Sequence, residues 1–100
     1  MAFGISKGEL SHWKKKVKEG KEIAFLTHYW MDPRFPNSYS VTKVGCSNIE
    51  KLIAWGEEYQ LKAEWIHYDE MYPHFDLFGK KQEEILKNEG KWDHIYRFKI

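Results

Sequence analysis

The stretch Tyr72-Pro73-His74-Phe75-Asp76-Leu77-Phe78 decides how this chain is read. Phe75 and Leu77 alternate with His74 and Asp76, which is the period of a β-strand with an apolar face and a polar face. Pro73 lacks a backbone donor and suits the first residue of a strand. Gly79 stops the run, and a helical pattern follows. His74 and Asp76 therefore share one side of a strand, opposite Phe75 and Leu77. A histidine and a carboxylate so placed form a small acid–base or chelating pair, and we take them as the candidate catalytic residues.

Outward from that strand, the chain reads as alternating helices and strands. Upstream, Asp69-Glu70-Met71 is a loop or hairpin tip, and Trp65-Ile66-His67 begins another strand region. Ser47-Asn48-Ile49-Glu50 has the form of a capping box, and Ile49, Leu52, Ile53, Gly56 and Tyr59 give the following segment, about 48–60, one apolar helical face. Gly56 on that face implies close packing against a sheet, since glycine otherwise costs a helix about 1 kcal/mol. Residues 39–45 read as a strand. Residues 22–30, apolar on both alternations, read as a strand buried on both faces. Between them, Met31 to Ser38 is a loop punctuated by two prolines.

At the amino end, Ser6-Lys7-Gly8-Glu9 is a capping box with Ile5 and Leu10 at the hydrophobic-staple positions. Leu10, Trp13 and Val17 then recur at helical spacing up to Gly20, a natural helix stop. Downstream of the key strand, 81–88 reads as a short helix burying Ile85 and Leu86. Residues 92–100, with Ile95, Tyr96 and Phe98, read as an edge strand. The expected fold is α+β: residues 1–100 form one domain with a mixed sheet of about four strands and about three helices. The 39–45 strand, the 48–60 helix and the 73–78 strand are expected to make one right-handed βαβ unit, with helices packed on the sheet in two layers or three.

The 100 residues carry 16 basic and 15 acidic side chains, net +1, which removes the basic excess typical of nucleic-acid binders. Aromatics reach 17%, ample for a domain this small to build its own core. The lone Cys46 excludes an intramolecular disulfide and multi-cysteine zinc sites. It reads as a small buried hydrophobe rather than a reactive thiol at a helix start. No apolar run approaches the roughly 18 residues of a membrane span, and no signal-peptide pattern opens the chain. A cytoplasmic protein without membrane contact is expected.

Thr27-His28-Tyr29-Trp30-Met31-Asp32-Pro33-Arg34-Phe35-Pro36, Trp65-Ile66-His67 and Pro73-His74-Phe75-Asp76-Leu77 together resemble the YneQ-like small cytosolic proteins of Bacillus-type bacteria. More distantly they resemble a widespread bacterial domain of unknown function, whose pattern runs Asp-x-Pro-Arg, a helix, Trp-Phe-His and Pro-His-Tyr-Asp. Asp32-Pro33-Arg34 stands at the first element, Ile66 replaces Phe and Phe75 replaces Tyr. The distant pattern carries a histidine in its second strand where this chain has Val41-Thr42-Lys43-Val44. The resemblance covers roughly residues 27–88 and implies no particular activity.

These residues define the candidate site: His74 and Asp76 as the catalytic pair, His28, Asp32, Arg34 and His67 as ligand-binding groups. His28, His74 and Asp76 are also the candidate ligands of a divalent metal, since imidazole and carboxylate suit zinc, manganese or iron. If the 23–30 and 73–78 strands were parallel neighbours, His28 and Asp76 would meet near their carboxyl ends, where α/β domains place ligands. A metal there would lower the pKa of bound water to about 7 and favour hydrolysis. Arg34 would hold a phosphate or carboxylate. The expected function is thus binding of a small polar or anionic ligand, with metal-assisted hydrolysis as its enzymatic extension. Structural roles compete: Asp76 as a cap of the 81–88 helix, Arg34 as a bridge to Asp32 or Asp76, His28 as a donor to Asp32 or Asp76 that locks the loop, and His74 as a core histidine bonded to a backbone carbonyl. An alternative class is a nucleic-acid or protein interaction module. It would use Lys14, Lys15, Lys16 and Lys18 with the aromatics Tyr29, Trp30, Phe35, Tyr68 and Tyr72.

Overall fold

The computed structural model describes residues 4–31, 33–34, 36, 39–69 and 71–100. In chain order these form α1 (Lys7–Glu19), β1 (Ala24–Tyr29), β2 (Ser40–Gly45), α2 (Ile49–Glu57), a 3-10 turn (Ala63–Trp65), β3 (His74–Leu77), α3 (Gly79–Asn88) and α4 (Trp92–Phe98). The three strands lie in the order β1-β2-β3 and every pairing is antiparallel.

Register sorts the side chains into two faces. Leu26 pairs with Lys43, and Lys43 with Asp76; Ala24 pairs with Gly45, and Gly45 with His74. Because alternate residues share a side, Ala24, Leu26, His28, Val41, Lys43, His74 and Asp76 occupy one face. Phe25, Thr27, Thr42, Val44, Phe75 and Leu77 occupy the other. Helix α1 covers the first face, packing Trp13 and Val17 on Ala24 and Leu26. The second face carries the larger core, where Val44, Phe75 and Leu77 meet Leu52 and Trp55 of α2, Ile85 of α3, and Leu61 and Ile66. The sheet is thus the middle of three layers.

Local chemistry explains the helices. Ser6 and Glu9 form the full capping box of α1, and Gly20 closes it at φ 67. Gly45 lets α1 approach, since a Cβ there would stand 3.0 Å from both Trp13 and Val17 and 2.9 Å from the Pro73 carbonyl. Gly56 does the same for α2, where a Cβ would fall 2.7 Å from the Phe75 ring. The expected close packing at Gly56 is therefore present. Cys46 is fully buried among the core residues beneath α2.

Several expectations are corrected. Residues 92–98 are helical, not an edge strand: Ile95 and Phe98 are buried one turn apart while Tyr96 is 75% exposed. Asp93 in the first turn and Arg97 in the last suit the helix dipole. Among the described residues the sheet accordingly has three strands and four α-helices flank it, so the α+β class stands while the mixed sheet of four strands does not. The βαβ unit is absent as well, because β2 and β3 are antiparallel neighbours. After α2 the chain runs on through Leu61 and Ile66, both buried. That extra passage along the core brings β3 in from the end opposite the one a crossover would use. Trp65 belongs to the 3-10 turn, and His67 makes one antiparallel bridge to His74 in place of a third strand. Finally, Asn48 rather than Ser47 caps α2, accepting from the Lys51 amide, while the Ser47 hydroxyl donates to the Lys18 carbonyl.

Candidate functional site

The α1-facing side of the sheet is only half covered. Trp13 and Val17 seal one end, and beyond them a cavity of about 440 Å³ remains between the first half of α1 and the strands. Its floor is His28 and Trp30 from β1 and the residue after it, Val41 and Lys43 from β2, and His74 and Asp76 from β3. Leu10, Trp13 and Lys14 of α1 form its roof, and Asp69 and Tyr72 close one side. This is within the ordinary size range of small-molecule pockets.

Both floor histidines are set by the backbone. His28 Nδ1 lies 2.9 Å from the Tyr29 carbonyl, and His74 Nδ1 lies 2.8 Å from the Tyr72 carbonyl. A carbonyl only accepts, so in each ring Nδ1 carries the proton. Burial holds both imidazoles below the ordinary histidine range, opposed in each by the carbonyl bond. The Lys43 charge pushes the same way as burial in both rings. Both are therefore neutral near pH 7, and each presents Nε2 as a lone pair.

For His28, which is 4% exposed, that Nε2 is buried with no hydrogen-bond partner among the described residues. For His74, Nε2 stands 3.5 Å from Asp76 Oδ1. The alignment does not make a hydrogen bond, and Oδ1 is likewise buried and without a partner. Asp76 Oδ2 reaches the exposed His67, 3.2 Å from its Nε2. The His67 ring stacks on His74 at 5.5 Å between centroids. Trp13 meets His74 edge-on at 5.9 Å, tying the roof to the floor.

The structure thus gathers His67, His74 and Asp76 into one contiguous group; His28, His74 and Asp76 line the cavity and His67 does not. Asp32 lies outside the described residues, as does Phe35. Arg34 is exposed and does not line the cavity. The expected meeting of parallel neighbours does not occur: β1 and β3 flank β2, and His28 and Asp76 belong to one site through the shared face of the sheet. Among the described residues no three His, Cys, Asp or Glu side chains come together to hold a metal ion; Asp32, the further ligand type near His28 in the sequence, lies outside them. Asp76 does not cap α3 either. That helix starts after Phe78 without a side-chain cap, while Asp76 turns to the histidines.

Lys43 is the site residue that sequence reasoning passed over. Its position between Val41 and Val44 in a strand of otherwise buried residues was the available signal, because lysine is rarely placed there without use. Among the described residues no carboxylate lies within ion-pair distance of it. Of the groups of the alternative reading, Lys14, Lys15 and Lys18 line one surface depression together with Tyr72. Lys16 pairs with Glu22 at 2.8 Å, Lys14 lies over the Tyr72 ring, Tyr29 packs on Phe98, and Trp30 packs on Phe78. No helix among the described residues is long and apolar enough to cross a membrane.

Fold and site together define a small three-layer α+β domain with one helix roofing a polar pocket on an antiparallel sheet. The chain is 55% identical, over 100 residues and the whole of both chains, to the Uncharacterized protein YneQ of Bacillus subtilis (strain 168). It belongs to the YneQ-like proteins of Bacillus-type bacteria. No family profile and no solved structure matches it.

Proposed function

We propose that this domain binds a small polar ligand carrying an anionic group in the pocket beneath α1. The observation that carries the reading is that two residues lining one cavity with Lys14 and Lys43, His28 and Asp76, each hold a buried acceptor without a partner, Nε2 and Oδ1. A buried polar atom without a hydrogen bond costs about 1–3 kcal/mol. Two of them in the same cavity favour a ligand that supplies donors. Lys14 and Lys43 are the groups that would pair with an anion, balanced on the same lining by the carboxylates Asp69 and Asp76. His28 is the group nearest in kind to a base for chemistry on that ligand, since its free nitrogen is a neutral lone pair. His67 stacks on His74, and Asp76 with Asp69 makes the pocket's acidic side.

The test is a two-dimensional amide NMR titration of the full chain with a set of small organic phosphates and carboxylates. Resonances of Leu10, Trp13, His28, Lys43 and Asp76 are expected to move together and saturate. No saturable shift, or shifts confined to the groove that Phe25, Thr27, His94 and Arg97 line between α1 and α4, would refute the reading.

A further inference from the structure

Resting on the pocket reading above, we propose that the ligand is an anionic carbohydrate, a sugar phosphate or sugar acid whose hydroxyls bridge the three strands. The reason is the order of hydrogen-bonding groups across the floor. His28 on β1 is an acceptor, Lys43 on β2 is a donor, and Asp76 on β3 with His74 beside it is again an acceptor. β1 and β3 are separated by two strand spacings, roughly 10 Å at the backbone. One ammonium group, as on an amino acid, cannot donate at both ends of that row. Several hydroxyls on one ring or chain can.

Hydroxyls also suit the middle of the row. A hydroxyl donates to an imidazole or carboxylate and at the same time accepts from an ammonium, whereas an amine cation only donates and is repelled by Lys43. The Lys43 charge already disfavours a second positive charge at His28. The wall agrees, because the half-buried Tyr72 lines the cavity beside the edge of Trp13. The slightly positive C–H face of a sugar ring packs well on the negative face of an aromatic ring. Lys14, held over Tyr72 at 5.2 Å, stands at the roof where the anionic group would sit.

Isothermal titration calorimetry of the full chain tests this with ribose 5-phosphate and gluconate, against ribose, inorganic phosphate and glutamate as comparators. At least one of the two sugar anions should bind at least tenfold more tightly than every comparator. Which of them does so reports whether the anion is a phosphate or a carboxylate. Both His28→Phe and Lys43→Met should weaken that binding at least tenfold. A melt of each variant checks folding, and Lys43→Met, on a residue only part-buried, carries the test if His28→Phe fails to fold. Glutamate or inorganic phosphate binding as tightly as the sugar anions, with sensitivity to Lys43→Met, would overturn the carbohydrate class and leave the pocket reading standing. No binding by any of the five would overturn both.

Discussion

Replacing Asp76 by Asn separates a site residue from a scaffold residue. Asn keeps the shape and removes the charge. The magnitude follows from the partners. His67, 3.2 Å away, has a side chain 61% exposed, so that pair is screened and contributes at most about 1 kcal/mol. His74 is kept neutral by burial and stands 3.5 Å from Oδ1 without hydrogen-bond alignment, so no full ion pair is lost there. The expected cost of Asp76→Asn is therefore about 1 kcal/mol, not the 3–5 kcal/mol of a broken buried ion pair. For a domain of this size about 1 kcal/mol corresponds to a fall in Tm of about 4–8 °C. Circular dichroism melts of both proteins at pH 7 measure it. A fall of about 12 °C or more would mean that the carboxylate is part of the framework, and the assignment of its free oxygen to a ligand would fail.

Other expectations follow from the same geometry. His28, His74 and His94 all sit below the ordinary histidine range because of burial, so the unfolded chain binds more protons than the folded one as pH falls below about 6.5. Stability should be full above that pH and decline from pH 7 toward pH 5; melts giving a flat or rising Tm over that interval would contradict neutral buried imidazoles. Gly56→Ala gains about 1 kcal/mol of helix propensity but drives a methyl to 2.7 Å from the Phe75 ring, an overpacking cost of about 1–3 kcal/mol, so urea unfolding should show a net loss and not a gain. Trp13→Phe removes the indole hydrogen bond to the buried Ala24 carbonyl, 3.1 Å long, and should cost about 1–2 kcal/mol in the same assay. Trp13→Ala should cost about 3–5 kcal/mol, since it also empties the contact between α1 and the sheet.

What the sequence made legible is what local physics controls. The capping box at Ser6, the stop at Gly20, and the alternation that sets His74 and Asp76 opposite Phe75 and Leu77 are interactions within a few residues, and each is present. The direction of β3 was not legible, because a helix between two strands has the same local pattern whether the chain returns once or twice. Only the burial of Leu61 and Ile66 reveals the second passage. The helix α4 was obscured by the run Tyr96-Arg97-Phe98-Lys99-Ile100, whose alternation of apolar and basic residues mimics a strand over five residues. Its one-turn spacing of Ile95 and Phe98 wins because both pack inward. In the site, the residue types were readable, but Lys43 and the choice of free nitrogen on His28 depend on register and on the Tyr29 carbonyl, which are tertiary facts.

The burial of Cys46 gives the molecule an internal clock. It is the chain's one thiol, it is 0% exposed, and it sits in the larger core rather than at the pocket. A thiol reagent can reach it only when the layer of helices beyond the sheet opens, since a buried thiol is inert. Motions confined to α1 and the cavity roof leave it untouched, being on the opposite face. The rate of thiol labelling in native buffer therefore reports opening of the main core alone. Amide exchange in the first turns of α1 reports opening of the pocket. A ligand beneath α1 that slows the second rate and leaves the first unchanged acts on the roof; one that slows both stabilises the domain as a unit.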